Sequence, residues 1–236
     1  PRGQMETDYQ KMLRSLYITL QQQINELENG QLEQAEYFTM WVHQIKTPIA
    51  ALRLLLAEEE DERSQEMWEE LFSIEQYVEM ALQFTRLSAK STDFIIGEVS
   101  LDKVVREAIH KYARLFVRKK IRLELSSIDT QVLTDEKWLE FVIEQILSNA
   151  IKYTAGGTIS IYLKEEPEQE TKELIIEDTG IGIAPEDLPR IFEKGYTGYN
   201  GHADKRSTGI GLYLCRKIMR KLSHEITIES ESGVGT

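Results

Sequence analysis

Residues 38–56 read Phe38-Thr-Met-Trp-Val42-His43-Gln44-Ile45-Lys46-Thr47-Pro48-Ile49-Ala-Ala-Leu52-Arg-Leu-Leu-Leu56. Phe38, Val42, Ile45, Ile49, Leu52 and Leu56 are spaced 4-3-4-3-4, the repeat of a helix that buries one seam against other helices. A second stripe follows, from Met67 or Trp68 through Leu71, Ile74, Val78 and Ala81. The acidic stretch Glu58–Ser64 between them is short, so the two helices should fold back as an antiparallel hairpin. One hairpin cannot bury both its seam and its flanks. Two can, which predicts a homodimer held by a four-helix bundle. Upstream, Leu13, Leu16, Leu20 and Leu27 mark an amphipathic helix over 5–28. Asn29-Gly30 interrupts it as a break, a kink or a lapse in register.

The pattern changes past Ser88. Ala89-Lys-Ser-Thr-Asp93 is small and polar and reads as a hinge. Strand-like runs then occupy Phe94–Val99, Ile121–Leu125, Thr158–Lys164, Glu173–Asp178 and Glu225–Glu229. Helical runs occupy Leu101–Val117, Glu136–Tyr153, Pro185–Phe192 and Thr208–Leu222. Strands come in adjacent pairs and helices are few, which predicts an α/β sandwich with helices on one face of a mixed sheet. Residues 194–207 carry three glycines and no periodicity, the mark of a lid loop.

Composition excludes several classes. The 236 residues carry a net charge of −12, with −8 over 1–92 and −4 over 93–236. Neither half offers the basic surface that nucleic acid requires. A single cysteine, Cys215, rules out an internal disulfide and a multi-cysteine metal site and fits a reducing compartment. No run approaches the ~20 apolar residues of a membrane span. The Pro1-Arg2-Gly3 opening and the abrupt end at Gly235-Thr236 read as cut edges, which leaves room for a membrane-bound parent.

Four groups could carry chemistry. Gln145, Asn149, Lys152 and Tyr153 share one side of a helix. An amide oxygen is a neutral hard ligand suited to Mg²⁺ that already carries phosphate, lysine suits phosphate, and a tyrosine ring can lie against a base. Asp178-Thr-Gly180-Ile-Gly182 ends a strand with an acceptor-only carboxylate suited to adenine's amine, beside glycines that let a flat ligand approach. Ser207-Thr208-Gly209-Ile-Gly211 opens a helix whose backbone N–H groups can meet an anion. His43 lies one residue past a seam position, shares its face with Thr47, and precedes Pro48, which removes a helical hydrogen bond. Each group alone also has an ordinary reading: a surface helix, a turn, a capped helix, a solvated ring.

Together these residues resemble a sensor histidine kinase over nearly the whole chain. Val-His43-Gln-Ile-Lys-Thr-Pro resembles the family's H box, Ser-Asn149-Ala-Ile-Lys-Tyr-Thr its N box, and Asp178-Thr-Gly-Ile-Gly-Ile its first glycine box. Ile191-Phe192-Glu193 resembles the phenylalanine box, Ser-Thr208-Gly-Ile-Gly-Leu the second glycine box, and Glu231-Ser-Gly-Val-Gly-Thr236 the final Ser-Gly-x-Gly-Thr. Trp41 to Pro48 and Phe192-Glu-Lys-Gly-Tyr-Thr-Gly198 are similar to the cell-envelope-stress branch, whose members have small membrane domains and often work beside peptide-exporting transporters. The resemblance implies a stalk or signalling helix over 1–37, a dimerisation and phosphotransfer domain over 38–90, and an ATP-binding domain of the gyrase, Hsp90 and MutL (GHKL) type over 91–236. It implies ATP and Mg²⁺, with Asn149 and Gln145 at the metal, Lys152 at phosphate, Tyr153 near the base, and Asp178 on adenine beside Gly180 and Gly182. Thr208, Gly209 and Gly211 close on phosphates, and Phe192 anchors the lid. His43 would be the phosphoacceptor through Nε2, an aspartate of a response regulator the next acceptor, and Thr47 the residue that orients a dephosphorylating water. Gln44 stands where the family usually has Glu or Asp, and an amide cannot take a proton at neutral pH. Gln145 replaces the usual first asparagine of the N box. A non-catalytic ATP-sensing scaffold, or a GHKL ATPase clamp, are the alternatives.

Overall fold

The computed structural model describes residues 2–57, 61–88, 94–165, 172–198 and 208–236. The chain divides into two compact units, Pro1–Asp93 and Phe94–Thr236.

The first unit is a helical hairpin. Helix α1 (Arg2–Ala57) runs unbroken through Asn29-Gly30 and Pro48. The interruption at 29–30 is thus a lapse in the apolar pattern, since one glycine costs about 1 kcal/mol, too little to end so long a helix. Helix α2 (Glu62–Ser88) returns alongside it, its first turn tied by Asp61, whose Oδ1 accepts from the Ser64 N–H at 2.8 Å. The core between them is Val42 and Ile49 from α1 with Leu71, Val78 and Leu82 from α2, flanked by Ile45 and Leu56. Two expected seam residues depart from the pattern: Leu52 is 50% exposed and Ile74 47%. Leu71, Val78 and Leu82 fall within about 40° of one another around α2, whereas Ile74 lies roughly 60° from Leu71 on the outer side. Leu82 and Phe72 take the buried places, and the Phe72 ring stacks on Trp68 at 5.2 Å between centroids.

In the second unit, β1 (Gly97–Ser100) pairs antiparallel with β3 (Gln131–Thr134). A separate sheet runs in the order β2 (Arg122–Leu125), β4 (Thr158–Glu165), β5 (Lys172–Asp178), parallel then antiparallel, which makes it mixed as expected. Three helices complete the unit: α3 (Leu101–Arg118), α4 (Glu136–Tyr153) and α5 (Gly211–Lys221). Helix α4 packs against α3, α5 and β5. Helix α3 buries Leu101, Val104, Val105, Ala108, Tyr112 and Phe116, an i, i+3, i+4, i+7 stripe. Asp135 caps α4 by accepting from the Trp138 N–H, and its other oxygen accepts from the Ile95 N–H at 2.8 Å. That bond, with the Phe94 ring 5.5 Å from Trp138, commits residues 94–95 to side-chain packing, so β1 starts later than its apolar run.

Two expected elements are absent as such. Pro185–Phe192 forms successive turns, not a helix: the Asp187 and Arg190 N–H groups bond three residues back while Leu188 and Ile191 bond four back. Mixed spacing of this kind cannot propagate. Glu225–Glu229 keeps a strand's period-two alternation of exposure but pairs with no strand among the described residues. No described helix is long and apolar enough to cross a membrane.

Candidate nucleotide site and phosphoacceptor helix

The C-terminal end of α4 is knitted to the turn that follows β5. The Tyr153 carbonyl accepts from the Ile181 N–H at 3.3 Å, and the Thr154 hydroxyl reaches Asp178 Oδ1 at 3.4 Å. The Gly180 N–H donates to the same oxygen at 2.8 Å. A side chain at Gly180 would sit 2.6 Å from both the Tyr153 carbonyl oxygen and Asp178 Oδ1, so only glycine allows this approach. The structure therefore brings the end of α4, with Lys152 and Tyr153, against the turn that carries Asp178, Gly180 and Gly182, and Asn149 stands one turn back on the same helix.

Asp178 is 9% exposed. The Gly180 and Thr154 bonds both end on Oδ1, which leaves Oδ2 the more open acceptor of the two. Burial raises its pKa above the ordinary carboxylate value; the Gly180 and Thr154 donors oppose that shift without cancelling it. Along α4, Gln145 is buried and Asn149 half-buried, and neither amide has a hydrogen-bond partner among the described residues. The Lys152 ammonium lies 5.2 Å from the Tyr153 ring centroid.

The C-terminal stretch closes over the same turn. The Asp178 N–H donates to the Thr236 carbonyl at 2.8 Å, and the Thr236 N–H returns to Asp178 at 3.2 Å. Ser230 Oγ accepts from the Ile183 N–H at 2.8 Å and donates to the Gly235 carbonyl at 2.7 Å. Gly182, at φ +65°, leaves no room for a Cβ, which would lie 2.1 Å from the Glu231 carbonyl oxygen. Two contributors were missed in the sequence. Thr154 could have been found as the hydroxyl directly ending α4; the backbone of Thr236, which carries no side-chain signature, could not.

The expected lid spans 194–207, and residues 199–207 lie outside the described residues. Its base is fixed. The Gly195 N–H donates to the Gly209 carbonyl at 2.8 Å, and Gly209, at φ +64°, packs against the Gly195–Tyr196 backbone. That left-handed residue delays α5 to Gly211, three residues later than expected. The Thr208 hydroxyl accepts from the Ile210 N–H at 3.3 Å, and α5 has no side-chain cap. Its first N–H groups are therefore left for an anion. Phe192 is half-buried beneath the Arg216 guanidinium at 5.1 Å. With Tyr213, Arg216, Lys217, Arg220 and Lys221 it lines a cavity of about 510 Å³, which neither Asn149 nor Asp178 enters.

On α1, His43, Gln44, Lys46 and Thr47 are exposed, between the buried Val42 and Ile49. The Thr47 hydroxyl donates back to the His43 carbonyl at 3.3 Å. Among the described residues no group of three or more His, Cys, Asp or Glu is arranged to hold a metal ion, so a cation here would depend on amide and phosphate oxygens.

A family model described as "Histidine kinase-, DNA gyrase B-, and HSP90-like ATPase" matches residues 134–236. The chain is 34% identical over 229 residues to the sensor histidine kinase YxdK of Bacillus subtilis, covering 97% of this chain and 70% of that protein. It is 36% identical over 198 residues to the sensor protein BceS of the same organism, covering 83% of this chain and 58% of that one. The crystal structure of full-length ShkA in complex with AMPPNP superposes with a TM-score of 0.59 at 21% identity, over 85% of this chain and 44% of that chain, and supports the fold. With a helical hairpin followed by a GHKL ATPase unit, the chain belongs to the sensor histidine kinase family, the protein-histidine kinases of two-component signalling, in the branch that holds YxdK and BceS.

Proposed function

We propose that the unit from Phe94 onward binds Mg·ATP, that His43 Nε2 takes its γ-phosphoryl group, and that an aspartate of a response regulator receives it next. The observations that carry this reading are polar groups still open to a ligand: Asp178 Oδ2 for adenine's amine, the Asn149 and Gln145 amides along α4 for the cation, and, on the next helix, the uncapped start of α5 for phosphates. Lys152 and Tyr153 complete the phosphate and base contacts, Gly180 and Gly182 let the base approach, Thr208, Gly209 and Gly211 shape the phosphate turn, and Phe192 anchors the lid. Mg²⁺, when bound, would neutralise charge on the phosphate oxygens. In the transfer, the N–P bond forms at Nε2 as the P–O bond to ADP breaks. Gln44 orients the ring but cannot accept its proton, so the proton leaves to solvent, to which His43 is open.

The functional division follows the sequence: 1–37 as a signalling helix, 38–90 for dimerisation and phosphotransfer, 91–236 for ATP. Exposed Leu52, Leu54, Leu55, Met67 and Ile74 support a second copy completing a four-helix bundle. Thr47 orients a water that dephosphorylates the regulator. By its resemblance to the cell-envelope-stress branch, the parent protein is anchored in the membrane and has, through its membrane part, a peptide transporter as companion.

Incubation with Mg·ATP should give an acid-labile, base-stable phosphoryl group that is lost in His43→Gln while ATP binding persists. ATP binding with no phosphoryl group on wild-type protein would overturn the kinase reading in favour of an ATP-sensing scaffold. Phosphate release that persists in His43→Gln would favour an ATPase clamp.

A further inference from the structure

Lys46 lies three residues after His43, on the neighbouring turn of the same helix face, where Cβ atoms stand about 5–6 Å apart. Its ammonium is 2.7 Å from Glu79 Oε2 on α2. The other oxygen of that carboxylate accepts from Gln83 Nε2 at 2.8 Å. Glu79 is thus held on its own helix, with its side chain 23% exposed, while the Lys46 side chain is 50% exposed on a flexible four-carbon stem. A second ion pair between these helices, Arg53 with Glu75 at 3.6 Å, lies nearer the connection that joins them. Lys46 is the mobile member of its pair, and it sits beside the one ring whose charge the reaction changes.

We infer that Lys46 is a switchable counter-ion: phosphorylated His43 draws it away from Glu79 onto the phosphoryl oxygens. This rests on His43 being the phosphoacceptor. Phosphorylation places roughly −1.5 to −2 charges on the ring nitrogen. The phosphoryl dianion outbids a single carboxylate for a cation that reaches both, and Gln83 keeps Glu79 in place after the exchange. Lys46 then lowers the negative charge that an incoming carboxylate must approach when the group is passed on. The same ion pair leaves the ammonium occupied until His43 is phosphorylated, so the cation appears only with the group it serves.

The test separates the counter-ion from the kinase. Potassium phosphoramidate phosphorylates histidine chemically, its P–N bond to ammonia breaking as the bond to the imidazole forms. The ³¹P signal of His43 is identified by its loss in His43→Gln, and its shift is followed against pH. Lys46→Gln should raise the midpoint of the phosphoryl titration by about half a unit to one unit, and Lys46→Arg should restore it. Glu79→Gln should lower the midpoint, and most of that drop should vanish in the Lys46→Gln background. A midpoint in Lys46→Gln within about 0.2 unit of wild type, or a Glu79→Gln drop of equal size with and without Lys46, overturns the inference. Labelling by Mg·ATP is read in parallel. Its failure would count against the autokinase and would leave the titration result intact.

Discussion

Replacing Asp178 with asparagine should weaken ATP binding while leaving the fold as stable or more so. Oδ1 is engaged by the Gly180 N–H and the Thr154 hydroxyl, so the amide of Asp178→Asn is expected to keep its oxygen there and place its NH₂ where Oδ2 stood. Adenine's exocyclic amine then meets a donor where it needs an acceptor. One lost hydrogen bond plus a buried donor left unpaired is worth about 1.5–3 kcal/mol, or roughly 10- to 150-fold in Kd. Stability moves the other way. Because burial raises the folded-state pKa of Asp178, the folded state holds this proton more tightly than the unfolded state, and stability falls as pH rises from the ordinary carboxylate value through the raised one. At neutral pH the ionised group is therefore a cost, which the neutral amide removes. Calorimetric titration with Mg·ATP and thermal melts at pH 7 check both halves. In wild type, affinity should also decline as pH falls through the raised pKa. A Kd within about threefold of wild type, or a lowered Tm in Asp178→Asn, would refute the reasoning.

Gly182→Ala should destabilise the second unit by about 1–3 kcal/mol, from the left-handed backbone and the Cβ driven into the Glu231 carbonyl, and should weaken ATP binding; chemical denaturation and nucleotide titration report each. Lys111→Met should cost about 1–3 kcal/mol, because Glu144, 7% exposed and 2.6 Å from the Lys111 ammonium, loses the cation that offsets the burial of its charge, and Lys111→Met with Glu144→Gln should recover much of that loss. Cys215 is fully buried and its thiol is pushed up to about 12, so iodoacetamide should modify it only at the rate of unfolding. Fast modification of native protein would mean that α5 opens far more readily than its packing implies.

How much could be read in advance varies by element, for physical reasons. Helix α4 carries its own punctuation, with Asp135 as cap and Thr154 as stop, and its expected bounds coincide with the observed ones. The nucleotide turn was legible because glycine is required wherever backbones nearly touch, and Gly180, Gly182 and Gly209 all meet that condition. Strand β3 was missed: Gln131–Thr134 is four residues long, and Leu133 is 66% exposed, so no apolar alternation announces it. The α2 stripe was misread at Ile74 because a 3-4 repeat fits more than one face of an apolar helix, and only the partner chooses between them. The clasp of Thr236 on Asp178 runs through backbone atoms alone, to which sequence patterns are blind.

That clasp sets an order of events on the ribosome. A chain made from its N-terminus delivers α1 and α2 first, with His43 already on their surface. The turn at Asp178 cannot be finished until the last residues of this stretch emerge to meet it, which at about 5–20 residues per second takes seconds more. On the proposed function, a newborn molecule would thus display His43 before the pocket for its donor is complete.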